Sequence, residues 1–305
     1  MTPTRHGNVV KLKDLARYLD LNLTRDTKQK AIHLQGEHHA WTFYENSRRV
    51  ECNETLLWMH RPLTRSWRAW AVSEIDVMDQ FLPLARPGPY LREQGHETIV
   101  LDAGHGGHDR GGEGGKSMEK ELALRLATKV RSQLVQEGFH VRLTREDDTF
   151  IALSNRCVVA AAMNADIFIS IHFNASANGD ATGIETFVLP PPGEEATSQN
   201  TATLQYDTYP GNRHQGANVI LGQNLHEALL HGTDAEDRGL KKARFVVLRE
   251  ASCPAALLEL GFLTNEEEEQ RIREDDYFDR LSVAVSTGIR NYLRCVTQAK
   301  VMVPE

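Results

Sequence analysis

An unbroken apolar run, Thr98-Ile-Val-Leu, passes directly into Asp102-Ala-Gly-His-Gly-Gly, and this junction narrows the available folds more than any other stretch. A run without polar alternation suits a strand covered on both faces, as in a parallel sheet. The residues after Asp102 have too little bulk to continue the strand, and the glycines let the backbone turn sharply. His105 is thereby left at the carboxyl end of the strand, where open α/β sheets place their ligands.

Strand and helix signals alternate after this point, which predicts a mostly parallel twisted sheet with helices on both faces. A helix starts near Glu119, with Leu122, Leu126, Val130 and Leu134 on one face and Gly138 as its stop. Strands are expected at His140–Thr144, Ile167–Ile171, Ile184–Leu189, Phe245–Leu248 and Ala256–Leu260, with helices around Arg156–Ala162, Ala217–Leu230 and Tyr277–Tyr292. The earlier part reads as a small α+β unit. It combines a KLKDLARYLD helix, short strands at Val9–Val10, Ala31–Leu34, Trp41–Tyr44, Thr55–Met59 and Trp67–Val72, and a Ser73/Asp76 capping pair opening a helix through Leu82. Three prolines and a glycine in PLARPGPY mark a linker. The expected division is therefore an accessory α+β unit over residues 1–86, a linker over 87–95, a catalytic α/β unit over 96–296 and a tail over 297–305.

The 305 residues can bury a substantial core, and a formal charge of −7 argues against nucleic acid or an anionic membrane surface as the main partner. No apolar run approaches the roughly 20 residues that span a bilayer, so no transmembrane segment is expected. The opening Met1-Thr-Pro-Thr-Arg-His-Gly lacks the apolar stretch of a secretory signal. Cys52, Cys157, Cys253 and Cys295 show no metal-like spacing and read as buried free thiols. The histidines His33, His38 and His39 read as solvated, and the four tryptophans as core residues of the small unit.

The glycine-rich stretch from Gly104 to Lys116 fails both nucleotide motifs. A dinucleotide fingerprint would need glycine in place of Asp109, and a phosphate loop would need it in place of Arg110. A different set of residues carries more chemistry. His105 and His172 each end a buried strand, and Glu119 opens a helix on the same rim; two imidazoles and a carboxylate make a typical catalytic zinc shell with one position open. Their spacing matches no compact metal motif, so on spacing alone a structural role stays open for each.

Six blocks in order, VLDAGHGGHDRGG, MEKELAL, LTREDD, FISIHFNA, GIETFVL and PAALLELGFLTN, resemble the successive signatures of zinc-dependent N-acetylmuramoyl-L-alanine amidases over nearly all of Thr98 to Leu293. The resemblance implies that His105, Glu119 and His172 are Zn2+ ligands and that Glu259 is the catalytic carboxylate. Glu119 is favoured over Glu121 because it precedes the lysine of the family's Glu-Lys pair. It further implies cleavage between N-acetylmuramic acid and the L-alanine of the stem peptide, with peptidoglycan as partner. Asn174 is a candidate substrate contact or a turn former, whereas Glu185 and Arg145 read as structural ion pairs.

Between Leu189 and Gly216 the chain is polar and proline-rich. Some division amidases carry an autoinhibitory helix there, and this segment is expected to form a loop without one, so control by an activator stays open. The small unit resembles the copper amine oxidase N-terminal-like domain, with no copper implied. A sacculus hydrolase belongs in the cell envelope or outside the cell; a cytoplasmic muropeptide-recycling role is the alternative. A zinc peptidase on free peptides and a non-catalytic wall-binding protein are the competing functions.

Overall fold

The Thr98–Ala103 strand lies second from one edge of a sheet in a computed structural model of the chain, whose described residues are 2–4, 7–66, 68–92, 95, 97–197 and 206–301. From that edge the order is His140–Leu143, Thr98–Ala103, Ile167–Asn174 and Ala255–Phe262, all parallel, then Ile184–Val188 antiparallel, then Asp237–Lys242 parallel to the last. The mostly parallel α/β sheet is thus present, with its last two strands, Ile184–Val188 and Asp237–Lys242, reversed relative to the other four.

Side-chain alternation divides the core. Ile99, Leu101, Ile167, Ile169, Ile171, Leu258 and Leu260 pack beneath the helices Glu119–Gln136, Gln215–Thr233 and Asp275–Val301. Val100, Phe168, Phe187, Ala255 and Leu257 face the other way, toward Cys157 and Ala160 of helix Leu153–Ala162 and toward Val247 and Leu248. Helices therefore cover both faces. Glu119–Gln136 ends as expected, with Gly138 at φ 94 and the Phe139 amide donating to the Leu134 carbonyl.

Two expectations are corrected here. Phe245–Leu248 is not a strand: Phe245 is extended and Val246–Arg249 forms a helical turn that buries Val247 and Leu248. A four-residue apolar run carries no period long enough to separate the two readings. The expected tail begins as helix, because Asp275–Val301 continues beyond Tyr292 while Val296 and Ala299 are buried. Residues 302–305 lie outside the described residues.

The small unit adds more than a separate body. Its meander of Thr55–Trp58, Arg49–Cys52, Ala40–Tyr44, Ala31–Gln35 and Asn22–Asp26 extends the sheet to eleven strands, joined through Leu57 opposite Leu240. A second, four-stranded sheet holds Thr2–Thr4, Gly7–Lys11, Ala69–Ser73 and Thr64–Ser66. The proline-rich segment is packed rather than tethering, with Gly88–Leu91 helical and Leu91 fully buried. At the junction Trp58 Nε1 donates to the Arg238 carbonyl at 3.0 Å, and the Leu56 amide donates to Asp237 at 2.7 Å. Trp58→Phe should remove one of these bonds and cost about 0.5–1.5 kcal/mol, read as a lower urea midpoint at unchanged slope.

Trp41 is buried, Trp58 and Trp70 are partly exposed, and Trp67 lies outside the described residues. His38 is exposed, whereas His33 is partly buried against Thr42, 3.0 Å away. All four cysteines are free, and three of them are buried.

Candidate metal centre and active site

One face of the sheet turns polar at its carboxyl end. In Ile167–Asn174 the alternation that directs Phe168 toward the second core also directs Ser170 and His172 to that face, and Leu257 and Glu259 follow the same rule on the neighbouring strand. His172 and Glu259 are directly paired across the ladder. On Thr98–Ala103 the corresponding position is Asp102, fully buried, and His105 follows it with φ 57 in the left-handed region.

Glu119 joins the two histidines. As the first residue of its helix, and only 4% exposed, it accepts from the Gly112 amide at 2.6 Å and the Phe173 amide at 3.1 Å. His172 Nδ1 lies 2.7 Å from Glu119 Oε1, and His105 Nε2 lies 3.0 Å from Oε2. One donor atom from each of the three residues falls within 4.8 Å of the others. Two glycines permit this closeness: a Cβ on Gly104 would stand 2.4 Å from the His172 ring, and one on Gly111 would stand 2.5 Å from Glu119 Oε2 and from the His105 ring.

The outer nitrogens are also engaged. His172 Nε2 sits 3.1 Å from Ser170 Oγ, whose hydroxyl donates at 2.7 Å to Asp102. His105 Nδ1 faces Asp109 Oδ2 at 2.9 Å. Each imidazole therefore presents one nitrogen to Glu119 and turns the other toward a carboxylate, through Ser170 for His172 and by proximity alone for His105, whose Nδ1 makes no hydrogen bond among the described residues. Nitrogens left as lone pairs would repel Glu119, so the arrangement calls for protonated rings or a cation among the three donors. The residues present thus fit a metal ion.

Asp102 is held by Arg156 Nη1 at 2.9 Å and by Thr144 Oγ1 at 2.7 Å. Arg156 also donates to the carbonyls of Ala103 and His105, each at 2.7 Å. Arg145 differs from its expected role as an ion-pair member. Buried to 4% exposure, it donates instead to the carbonyls of Ala103, Gly104, Lys120 and Asp147, clamping the loop that carries His105. Glu185 does pair, with Arg238 and with Lys241 at 2.9 Å. Sequence reading missed Ser170 and Asp102; the signal was a polar residue inside each of two otherwise apolar strands.

Glu259 is partly buried, and its Oε2 has no hydrogen-bond partner among the described residues. Burial, followed by the charges of Glu119 and Glu185, pushes this carboxyl well above the usual range. Glu119 moves oppositely: burial raises it, but the hydrogen bonds and charge of the two imidazoles outweigh that and hold it low. Asn174 lies past a register shift after His172, with its side-chain oxygen accepting from the Ala175 amide at 2.9 Å. Of the Leu189–Gly216 segment, residues 198–205 lie outside the described residues; the described part includes the 3₁₀ turn Pro210–His214 and a contact of Glu194 with Arg61 at 3.0 Å.

A mixed α/β sheet that gathers two imidazoles and a carboxylate at its strand ends, beside an unpaired buried carboxylate oxygen, defines a protein built around a candidate metal centre. The family described as N-acetylmuramoyl-L-alanine amidase matches residues 99–291, and the chain belongs to it. It is 33% identical over 199 residues to the N-acetylmuramoyl-L-alanine amidase LytC of Bacillus subtilis (strain 168), covering 65% of this chain and 36% of that protein. The amidase AmiA of Escherichia coli (strain K12) is 31% identical over 253 residues, covering 75% of this chain and 87% of AmiA. Among solved structures, the catalytic domain of CwlV, an N-acetylmuramoyl-L-alanine amidase from Bacillus (Paenibacillus) polymyxa var. colistinus, matches with a TM-score of 0.55 at 33% identity, covering 65% of this chain and 98% of that one. The chain thus spans about a third of LytC but nearly the whole CwlV domain.

Proposed function

We propose that this protein is a zinc-dependent hydrolase that cuts the amide between the lactyl group of N-acetylmuramic acid and the L-alanine of the peptidoglycan stem peptide. The observation that carries the reading is the meeting of His105, Glu119 and His172 within 4.8 Å, with Glu259 paired across the ladder from His172. Family membership supplies the substrate class. His105, Glu119 and His172 would hold the ion, and Ser170 with Asp102, and Asp109, would fix the orientation of the two rings. When bound, zinc polarises the scissile carbonyl and lowers the pKa of water. Glu259 takes the proton from the attacking water and returns it to the departing alanine nitrogen. Asn174 is a candidate hydrogen-bond partner for the substrate amide.

By the same reading the protein acts in the cell envelope or outside the cell, and residues 1–86 form an accessory unit. No helix among the described residues is long and apolar enough to cross a membrane.

Two outcomes test the metal. Dialysis against a chelator should abolish amide hydrolysis, and one equivalent of zinc should restore it; hydrolysis that persists in metal-free protein sinks the assignment. Ser170→Ala cuts the link from His172 to Asp102 and should weaken zinc affinity by about 10–100-fold. Competition with a chromophoric chelator measures this, and unchanged affinity would mean that the serine plays no part in holding His172.

A further inference from the structure

A pocket of about 380 Å³ lies between the Gly114–Lys116 turn and the helix Glu266–Arg273. Its floor is rigid. Glu269, 5% exposed, accepts from the Lys116 amide at 2.7 Å and the Gly115 amide at 3.1 Å, and a Cβ on Gly114 would stand 2.5 Å from Glu269 and 2.6 Å from the Leu263 carbonyl.

Three chain segments that leave the candidate metal centre build its walls. The turn belongs to a small antiparallel bridge, Glu113 opposite Met118, that runs directly into Glu119. Leu263 and Thr264 follow the strand that bears Glu259. Thr264 Oγ1 accepts from the Ser176 amide at 3.0 Å, and the Leu263 amide donates to the Asn174 carbonyl at 2.8 Å, which ties this wall to the end of the His172 strand. The walls of the pocket are therefore extensions of the segments that carry the candidate ligands and Glu259, two of them along the chain and the third through hydrogen bonds.

Its mouth carries both signs of charge. Glu266, Gln270 and Arg273 lie at helical spacing on one face and are exposed; Lys116 is exposed on the opposite wall. Among the described residues neither Lys116 nor Arg273 has a carboxylate partner in an ion pair, and Glu266 has no cation, whereas Glu113 is paired with Arg110 at 3.2 Å. Two cations and one acid, all without partners, around a preformed notch suit a ligand group that is itself zwitterionic.

We propose that this pocket is a specificity subsite that takes a stem-peptide residue whose side chain bears both a carboxylate and an ammonium, with Lys116 and Arg273 receiving the carboxylate and Glu266 the ammonium. The proposal rests on the amidase reading for its substrate and adds to it which residue of the peptide is recognised. A peptide with lysine at the same position offers the ammonium but no carboxylate.

Binding is measured apart from turnover by titrating the protein with two free stem tripeptides that differ only in the third residue, diaminopimelate or lysine. The diaminopimelate peptide should bind about tenfold more tightly, or about 1.4 kcal/mol. The double variant Lys116→Ala, Arg273→Ala should bring the two affinities within about twofold while leaving the lysine peptide's affinity unchanged. Equal affinities in the wild type, or a preference that survives the double variant, overturns the subsite. Hydrolysis of the matching muramoyl tripeptides separates the two readings. Discrimination in binding with no hydrolysis of either keeps the subsite and defeats the amidase reading; hydrolysis of both without discrimination does the reverse.

Discussion

Glu259→Gln should lower turnover of a soluble muramoyl peptide by about 10²–10⁴-fold while zinc content stays the same. Glutamine keeps the shape and the place of the side chain on Ala255–Phe262. It cannot take a proton from water or deliver one to an amine. Folding should not suffer, because the Oε2 atom that becomes an amide nitrogen has no partner among the described residues to lose, and the substitution relieves the charges of Glu119 and Glu185 nearby. Thermal unfolding at or above the wild-type midpoint, together with the loss of turnover, is the predicted pair of results. Turnover within tenfold of wild type would remove Glu259 from the chemistry.

Arg156→Ala should be the most damaging change to stability near the site. Its guanidinium is 1% exposed, faces the fully buried Asp102, and satisfies the carbonyls of Ile151, Ala103 and His105. Truncation leaves Asp102 as a buried charge supported only by the hydroxyls of Thr144 and Ser170. Breaking a buried pair in this way costs about 3–5 kcal/mol, a large share of the roughly 5–15 kcal/mol that holds a typical domain together. Adding Asp102→Asn to the variant removes the stranded charge and should recover part of the loss. Urea unfolding reads both steps. A loss under about 1 kcal/mol, or a double variant no more stable than the single, would show that the pair does not brace the strand end.

The candidate ligands were legible in the sequence chiefly through the six blocks that resemble a known family. His172 lies at the carboxyl end of one buried strand and His105 two residues beyond another, which on spacing alone left a structural role open for each, and the structure brings both to Glu119. The partner network behind them was hidden, because a single serine or aspartate within an apolar strand gives no period of its own. Asp237–Lys242 was missed for the opposite reason. Its sequence, DRGLKK, is charged, and its burial depends on neighbours: Leu240 meets Leu57, while Lys242 reaches Asp79 at 3.6 Å. That one strand carries the sheet into the small unit, a connection that the linker reading of the proline-rich stretch did not include. Asn22–Asp26 was equally silent, a polar strand with almost every residue exposed.

The measurement closest to the central claim is mass analysis of what the protein releases from purified peptidoglycan, with and without a chelator. Stem peptides that begin with a free alanine amine, released only when metal is present, are the predicted result. Fragments cut within the stem peptide, with alanine still attached to muramic acid, would contradict the proposed bond, and release unaffected by the chelator would contradict the proposed metal.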